Sequence, residues 1–482
     1  MTIQELKPAA VWRNFALICS VPHPSHHLEA ITRLLTDWGK EHKLETIVDE
    51  AGNIIIRKPA TPGYENRTPV VMQGHMDMVP QKNNDTVHDF EKDPIQTWID
   101  GEWVRAKGTT LGADNGMGVA TGMAILESTD IPHGPLELFI TANEETGMFG
   151  AFGMKEGTLK GKILLNMDSE TFGELYVGCA GGVDANISWD FKPAPAENDD
   201  AALRITVKGL KGGHSGMEIN TGRANANKLL FRFLKEAVAQ YDARLAAVEG
   251  GNMRNAIPRE GWAIITVPED GVEEIIGLAK EYEDMFNDEY HINDNPVQVI
   301  CERIDAPAEL IPAEIQDDLI NAVTACPNGV YRMIPAIPDT VETSINLSIV
   351  RANTSHIDVQ CLIRSSVDTK KEEIASMVES VFTLAGAKVE FEGSYSGWNP
   401  NLDSKILNTM KEVYKKEFNE EAEIKVIHAG LECGILGAIQ TDLDMVSFGP
   451  TIMSPHSPDE RVLISSVEKF YNLVAATLRE IK

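Results

Sequence analysis

Val70-Val-Met-Gln-Gly-His75-Met-Asp77 runs from an apolar strand into a histidine and, two residues later, an aspartate. Its β-branched start and polar end read as a buried strand that stops at a cluster of reactive side chains. The same arrangement recurs. Leu136–Thr141 leads into Ala-Asn-Glu144-Glu145-Thr-Gly, and Lys162–Asn166 leads into Met-Asp168. A strand near Met445 continues through Val446-Ser-Phe-Gly-Pro450 to Ser454-Pro-His456-Ser-Pro-Asp-Glu. Asn53–Arg57 is a further apolar strand, and Ile31–His42 and Asn115–Ser128 have helical spacing, with Asp114 at the mouth of the second. Strands alternating with helices predict an α/β domain with a largely parallel, buried sheet. The carboxyl ends of such strands open into one crevice, where these folds bind ligands.

Outward from this core the texture changes near residue 182, after Gly178-Cys-Ala-Gly-Gly182, and Lys192–Asp200 is a Pro/Ala/acidic loop. Strand Ala202–Leu210, helix Ala224–Gln240, strands Arg244–Gly250 and Trp262–Val267, helix Val272–Tyr290 and strand Val297–Ile304 follow. That is the β-α-β-β-α-β order of a ferredoxin-like unit. A second batch comprises helix Ala313–Cys326, strands near Tyr331, Ile345–Val350 and Ile357–Arg364, helix Lys371–Leu384 and strand Lys388–Glu392. Gly393-Ser-Tyr-Ser-Gly-Trp-Asn-Pro400 reads as a return hinge. The tail, with helices Ser404–Phe418 and Ile464–Ile481 and strands around Lys425 and Met445, is again α/β. The expected organisation is a discontinuous catalytic domain, 1–181 and 398–482, interrupted by an α+β lid domain, 182–397, of two ferredoxin-like halves.

The 482 residues correspond to about three domains by length alone. With 43 Lys and Arg against 73 Asp and Glu, the formal net charge is −30, which argues against nucleic-acid and anionic-membrane partners. Six scattered cysteines without C-x-x-C spacing suit reduced thiols. No signal peptide is legible at the start, and no stretch approaches the ~20 apolar residues of a membrane span, so a cytoplasmic protein is expected.

Taken singly, the polar residues at the strand ends have ordinary explanations. An Asp before a helix is a cap, a Glu-Glu pair is solvated surface, and a strand-end His is a satisfied donor. Together, two histidines and four or five carboxylates in one crevice repel one another unless a cation sits among them. The mixed N/O set suits zinc, or a similar divalent ion such as manganese or cobalt, with ligands enough for two. Competing chemistries are weaker. Gly213-His-Ser-Gly216 lacks the spacing of a nucleophile elbow, no Walker sequence is present, and Gly116-Met-Gly118 lacks the rest of a dinucleotide fingerprint.

In order and context, His75-Met-Asp77, Asp114, Glu144-Glu145, Asp168 and His456 resemble the site of the co-catalytic zinc exopeptidases, the superfamily of cytosolic dipeptidases, tripeptidases and amino-acid deacylases. Four stretches resemble the bacterial aminoacyl-histidine dipeptidase branch, relatives of the carnosinases. They are Lys211-Gly-Gly-His214-Ser-Gly, Arg254-Asn-Ala-Ile-Pro-Arg-Glu260, Cys361-Leu-Ile-Arg364-Ser-Ser and Ile427-His-Ala-Gly-Leu-Glu-Cys-Gly434. The resemblance implies hydrolysis of Xaa-His dipeptides, β-alanyl-histidine included, by a water activated between two divalent ions. The alternative is a broader dipeptidase or N-acyl amino-acid deacylase. It implies metal ligands His75 and Asp168 on one ion, Glu145 and His456 on the other, and Asp114 between them. Glu144 is then the general base, Asp77 orients His75, and His214 is the oxyanion donor. Asn255 and Arg364 meet the substrate's backbone and terminal carboxylate, and Glu432 its amino group or imidazole. A homodimer, with His214 lent across it, is one arrangement the resemblance leaves open.

Overall fold

Four short strands, Val70–His75, Leu136–Thr141, Ile163–Asn166 and Asp444–Ser447, run side by side and parallel in the middle of an eight-stranded sheet. The computed structural model containing them describes residues 2–197 and 199–482. Val70–His75 and Leu136–Thr141 are buried along their whole length, as their near-continuous apolar runs require of strands covered on both faces. The sheet is not parallel throughout. Glu45–Val48 and Ile54–Lys58 extend one side antiparallel, and Glu174–Cys179 meets Asp444–Ser447 antiparallel on the other. The expected mainly parallel sheet is therefore a mixed one with a parallel centre. The short link Asp49–Asn53 allows a hairpin at the edge, where a parallel pair would need a long crossover.

Helix Ala113–Glu127 packs against the central strands and the Ala9–Cys19 helix and is buried on nearly every side. Trp12, Phe15, Met72, Met117, Leu138, Leu165, Phe448 and Phe470 form one apolar core around it. Because the four central strands are parallel, His75, Thr141, Asn166 and Ser447 end on the same side of the sheet. The reactive residues follow directly from those ends.

The chain divides into two compact units. One comprises Met1–Gly178, Trp398–Val426 and Leu431–Lys482, and the other Cys179–Gly397 with Ile427–Gly430. The first boundary falls a few residues before the expected 181/182. Cys179 to Gly181 go with the second unit, where Ala180 N donates to the Ile427 and Ala429 carbonyls. The second unit is built on a nine-stranded sheet. Its first half orders its strands Gln298–Ile304, Asp200–Lys208, Gly261–Pro268, Arg244–Gly250, the 4-1-3-2 arrangement of a ferredoxin-like unit. The second half orders Val341–Ala352, His356–Ser365, Gly181–Asp190, Lys388–Tyr395, the same arrangement with Gly181–Asp190 as its first strand. That strand is absent from the sequence reading, although Val183, Ala185, Ile187 and Trp189 alternate into the core. The first half is thus nested inside the second. The two join along Val248↔Ala352, Glu249↔Arg351 and Gly250↔Val350.

No disulfide joins the six cysteines among the described residues. No described helix is long and apolar enough to cross a membrane.

Directly after the junction, Gly251 turns at φ +73°, and a Cβ there would stand 1.9 Å from the Ser348 carbonyl oxygen. Gly251→Ala meets both a left-handed backbone and a clash with fixed main chain. It is expected to lower stability by about 1–3 kcal/mol, read as a shifted urea midpoint with unchanged slope; an unchanged midpoint would refute the constraint.

Candidate active site

Each central strand delivers its reactive residue at or beyond its carboxyl end. His75 ends its own strand, Glu144 and Glu145 stand in the turn after Leu136–Thr141, and Asp168 follows Ile163–Asn166 by two residues. His456 lies beyond Asp444–Ser447 in a loop with left-handed backbone at Ser454 and His456 itself. Asp114 comes from the first turn of helix Ala113–Glu127.

These residues converge. His75 Nε2 is 3.2 Å from Asp114 Oδ1 and 3.4 Å from Asp168 Oδ1. His456 Nε2 is 3.2 Å from Asp114 Oδ2 and 3.0 Å from Glu145 Oε2. One oxygen of Asp114 therefore faces each ring. The ligand atoms fall into trios His75–Asp114–Asp168 and Asp114–Glu145–His456, sharing Asp114, and a third trio joins His75 to Glu144 and Glu145. Glu145 Oε1 and Asp168 Oδ1 are buried yet accept no hydrogen bond. Orphaned carboxylate oxygens among imidazoles are what a divalent cation satisfies, and this donor set fits zinc, cobalt or manganese.

The electrostatics carry the same message. Burial pushes the His75 ring down, but Asp168, Asp114 and Asp77 outweigh it and hold the ring well above its usual value. Hydrogen bonds to Asp114 and Glu145 lift His456 to about 11 against its partial burial. Burial raises Asp168 to about 6, with His75 opposing and Asp114 and Glu145 adding to the rise. Burial likewise carries Glu144 well above the carboxylate range; His75 opposes the rise while Asp168, Glu432 and Glu145 add to it. With no cation, the cluster balances its charge by holding protons.

Asp77 is buried, and its carboxylate binds the Glu144–Glu145 turn rather than chiefly the histidine. Oδ1 accepts from Glu144 N at 2.9 Å, and Oδ2 accepts from Glu145 N at 3.2 Å and Ser25 Oγ at 2.7 Å. His75 Nδ1 is nearest the Asp77 backbone carbonyl at 3.0 Å, with carboxylate Oδ1 at 3.5 Å.

Glu432, expected to face substrate, is instead fully buried at the start of helix Glu432–Ile439. Its Oε2 accepts from Gln73 Nε2 at 2.6 Å and Thr141 Oγ1 at 2.7 Å, while Oε1 accepts nothing. Burial lifts it to about 7, with His75 opposing and Asp168 adding to the rise. It belongs to the floor of the carboxylate cluster, since the partners that hold it are side chains of the two central strands.

The second unit holds the other candidates. His214 pairs opposite Ala256, one residue beyond Asn255, whose side chain is exposed. His214 Nδ1 accepts from Gly216 N at 3.1 Å and Met217 N at 3.0 Å, so the neutral ring carries its proton on Nε2. Burial and Arg364 lower the ring's pKa, which keeps it neutral. Arg364 is buried beside Tyr395, and no carboxylate among the described residues pairs with it. His428, which reads as an ordinary histidine in the sequence, is also buried here. Its Nε2 lies 2.7 Å from Ser344 Oγ, and burial, Arg364 and His214 lower it to about 3. Ser25, Gln73 and Glu460 also escape sequence reasoning. Glu460 alone carried a signal, lying four residues past His456.

A sequence model described as "Peptidase family M20/M25/M40" matches residues 71–480. The chain is 46% identical over 481 residues to the cytosol non-specific dipeptidase of Escherichia coli (strain K12), covering 99% of both chains. It superposes on the solved structure of aminoacylhistidine dipeptidase from Vibrio alginolyticus with a TM-score of 0.96 at 46% identity, covering 100% of this chain and 98% of that one. The fold also matches aminopeptidase PepT from Bacillus cereus, at TM-score 0.58 and 16% identity over 98% and 99% of the two chains.

The raised ring pKa values fix the sign of a pH effect. The carboxylates around His75 and His456 favour the protonated rings, and protons compete with a cation for the ring nitrogens, so metal affinity is expected to rise with pH and weaken as pH falls. Calorimetric titration of metal-free protein with Zn2+ in buffers of different ionisation heat is expected to show proton release on binding. A buffer-independent heat would contradict this electrostatic picture.

Proposed function

The chain belongs to peptidase family M20/M25/M40, and from the two ligand trios that share Asp114 we propose that it is a two-metal dipeptidase acting on Xaa-His dipeptides, β-alanyl-histidine included. The observation that carries the reading is the Asp114 carboxylate, with one oxygen on the His75 ring and the other on the His456 ring. His75 and Asp168 would hold one ion, Glu145 and His456 the second, and Asp114 both. When bound, such ions lower the pKa of water and polarise the scissile carbonyl. The ions are zinc in this proposal, with cobalt or manganese as alternatives, and the working compartment is the cytoplasm.

The chain's own groups do the rest. Glu144 takes the proton of the attacking water on its carboxylate and returns it to the leaving amine. Asp77 fixes the turn that sets Glu144 and Glu145 pointing differently. His214 presents an Nε2–H donor for the developing oxyanion, because its other ring nitrogen is occupied by two backbone donors. Arg364, without a carboxylate partner of its own, suits the substrate's terminal carboxylate, and Asn255 suits its backbone. The second unit is then the lid that limits substrates to short peptides.

The preference for a C-terminal histidine is supported by the likeness to the Vibrio alginolyticus aminoacylhistidine dipeptidase. The name of the Escherichia coli relative favours broader specificity as the second reading. A panel of Xaa-His, Xaa-Leu and N-acyl amino acids separates them. Xaa-His is expected to have the highest kcat/KM, and equal rates across the panel would sink the preference.

Chelation is expected to abolish hydrolysis and divalent metal to restore it; full activity in metal-stripped protein would refute the two-metal reading. Glu144→Ala should retain metal and lose roughly 100- to 10,000-fold in kcat. His214→Ala should lose about 100- to 1,000-fold in kcat with a smaller change in KM. Mixing the Glu144→Ala and His214→Ala proteins distinguishes two arrangements. Activity returns if His214 serves a second copy, and stays lost if it serves its own chain.

A further inference from the structure

Glu460 is almost completely buried, and its carboxylate accepts four consecutive backbone N–H groups. Leu111 N and Gly112 N donate to Oε2 at 2.6 and 3.0 Å, and Ala113 N and Asp114 N donate to Oε1 at 2.8 and 3.3 Å. These groups open helix Ala113–Glu127, whose first amides have no acceptor within the helix. The usual remedy, a side chain at the residue before the helix, is unavailable because that residue is Gly112, at φ +70°. A carboxylate from the other end of the chain takes its place.

The position of that carboxylate is what matters for the site. Glu460 lies four residues after His456, in the same loop, and the loop is anchored beyond it where Arg461–Leu463 pairs with Trp103–Ala106. One carboxylate therefore ties the segment bearing His456 to the segment bearing Asp114, the pair whose Nε2 and Oδ2 are 3.2 Å apart. Asp77 plays the corresponding part for Glu144 and Glu145. All four bonds of Glu460 go to main chain, so they fix the backbone from which Asp114 projects.

We propose that Glu460 is a positioning residue for the metal held by Asp114, Glu145 and His456. It sets the spacing of the two loops, so its loss weakens one ion of the pair more than the other. The inference rests on the two-metal reading above.

The test compares Co2+ binding to wild type, Glu460→Gln, Glu460→Asp and Asp459→Asn by equilibrium dialysis and visible absorption, with kcat and KM read alongside. Gln turns one acceptor into a donor facing donors, and Asp keeps the charge but shortens the reach. Glu460→Gln is expected to bind one of two ions about 10- to 100-fold more weakly, with an altered Co2+ spectrum and a fall in kcat rather than a rise in KM. Glu460→Asp should lie between it and wild type. Asp459 is the neighbouring exposed side chain, paired with Arg105, and Asp459→Asn should match wild type in every readout. Wild-type that binds no ion pair would overturn the two-metal reading itself. Wild-type affinity and spectrum in either folded Glu460 variant, beside a wild type that binds two ions, would overturn the positioning role alone. Failure of both variants to fold would also overturn it, since the residue would then hold the domain and not the site.

Discussion

Repulsion among buried acids is the constraint on which the first unit is organised. Asp114, Glu144, Glu145, Asp168 and Glu432 crowd the ends of four parallel strands, Glu432 fully buried and the other four half-buried. Left to themselves such groups neutralise by protonation, and the upward shifts of Asp168, Glu144 and Glu432 record that pressure. A fold selected only for stability would replace some of them with apolar residues. Here they are held in place by other polar groups. Asp77 grips the glutamate turn, Gln73 and Thr141 hold Glu432, and Glu460 grips the approach to Asp114. The restraint comes mostly from backbone and side-chain bonds around the acids, and Glu145 Oε1, Asp168 Oδ1 and Glu432 Oε1 are left without donors.

The second unit contributes a different set of side chains. His214 offers an Nε2–H, Arg364 a guanidinium with no salt-bridge partner among the described residues, and His428 a ring kept neutral by burial and by Arg364.

Much of this was legible in the sequence because the informative residues sit at strand ends, where a local apolar run and a polar stop are both visible. His75, Glu144, Glu145 and Asp168 each follow such a run, and Asp114 opens a long apolar helix. What escaped depends on partners far away in the chain. Gly181–Asp190 has its alternation, but two glycines at its start mask it, and its neighbours His356–Ser365 and Lys388–Tyr395 come much later. The antiparallel flanks of the first sheet escaped for a similar reason, since strand direction is decided by pairing and not by composition. The complete burial of Glu432 is not legible in the sequence because nothing local announces Gln73 and Thr141. Glu460 reads as one more acid in an acidic loop, because its four donors lie at the other end of the chain.

The nesting of the two ferredoxin-like halves has a consequence for the order in which the chain can assemble. Strands Asp200–Lys208 to Gln298–Ile304 form one uninterrupted segment whose ladder partners are close in sequence. Gly181–Asp190, by contrast, leaves the ribosome first and must stay unpaired until His356–Ser365 and Lys388–Tyr395 emerge. Its alternating apolar face is therefore exposed for most of the synthesis of the second unit, the condition under which an open strand recruits wrong partners. The inner half, which can close early and then offer its Arg244–Gly250 edge to Val341–Ala352, supplies a template at the other end of that same sheet. Vectorial synthesis thus favours building this unit from its middle outward, with the earliest strand among the last to be paired.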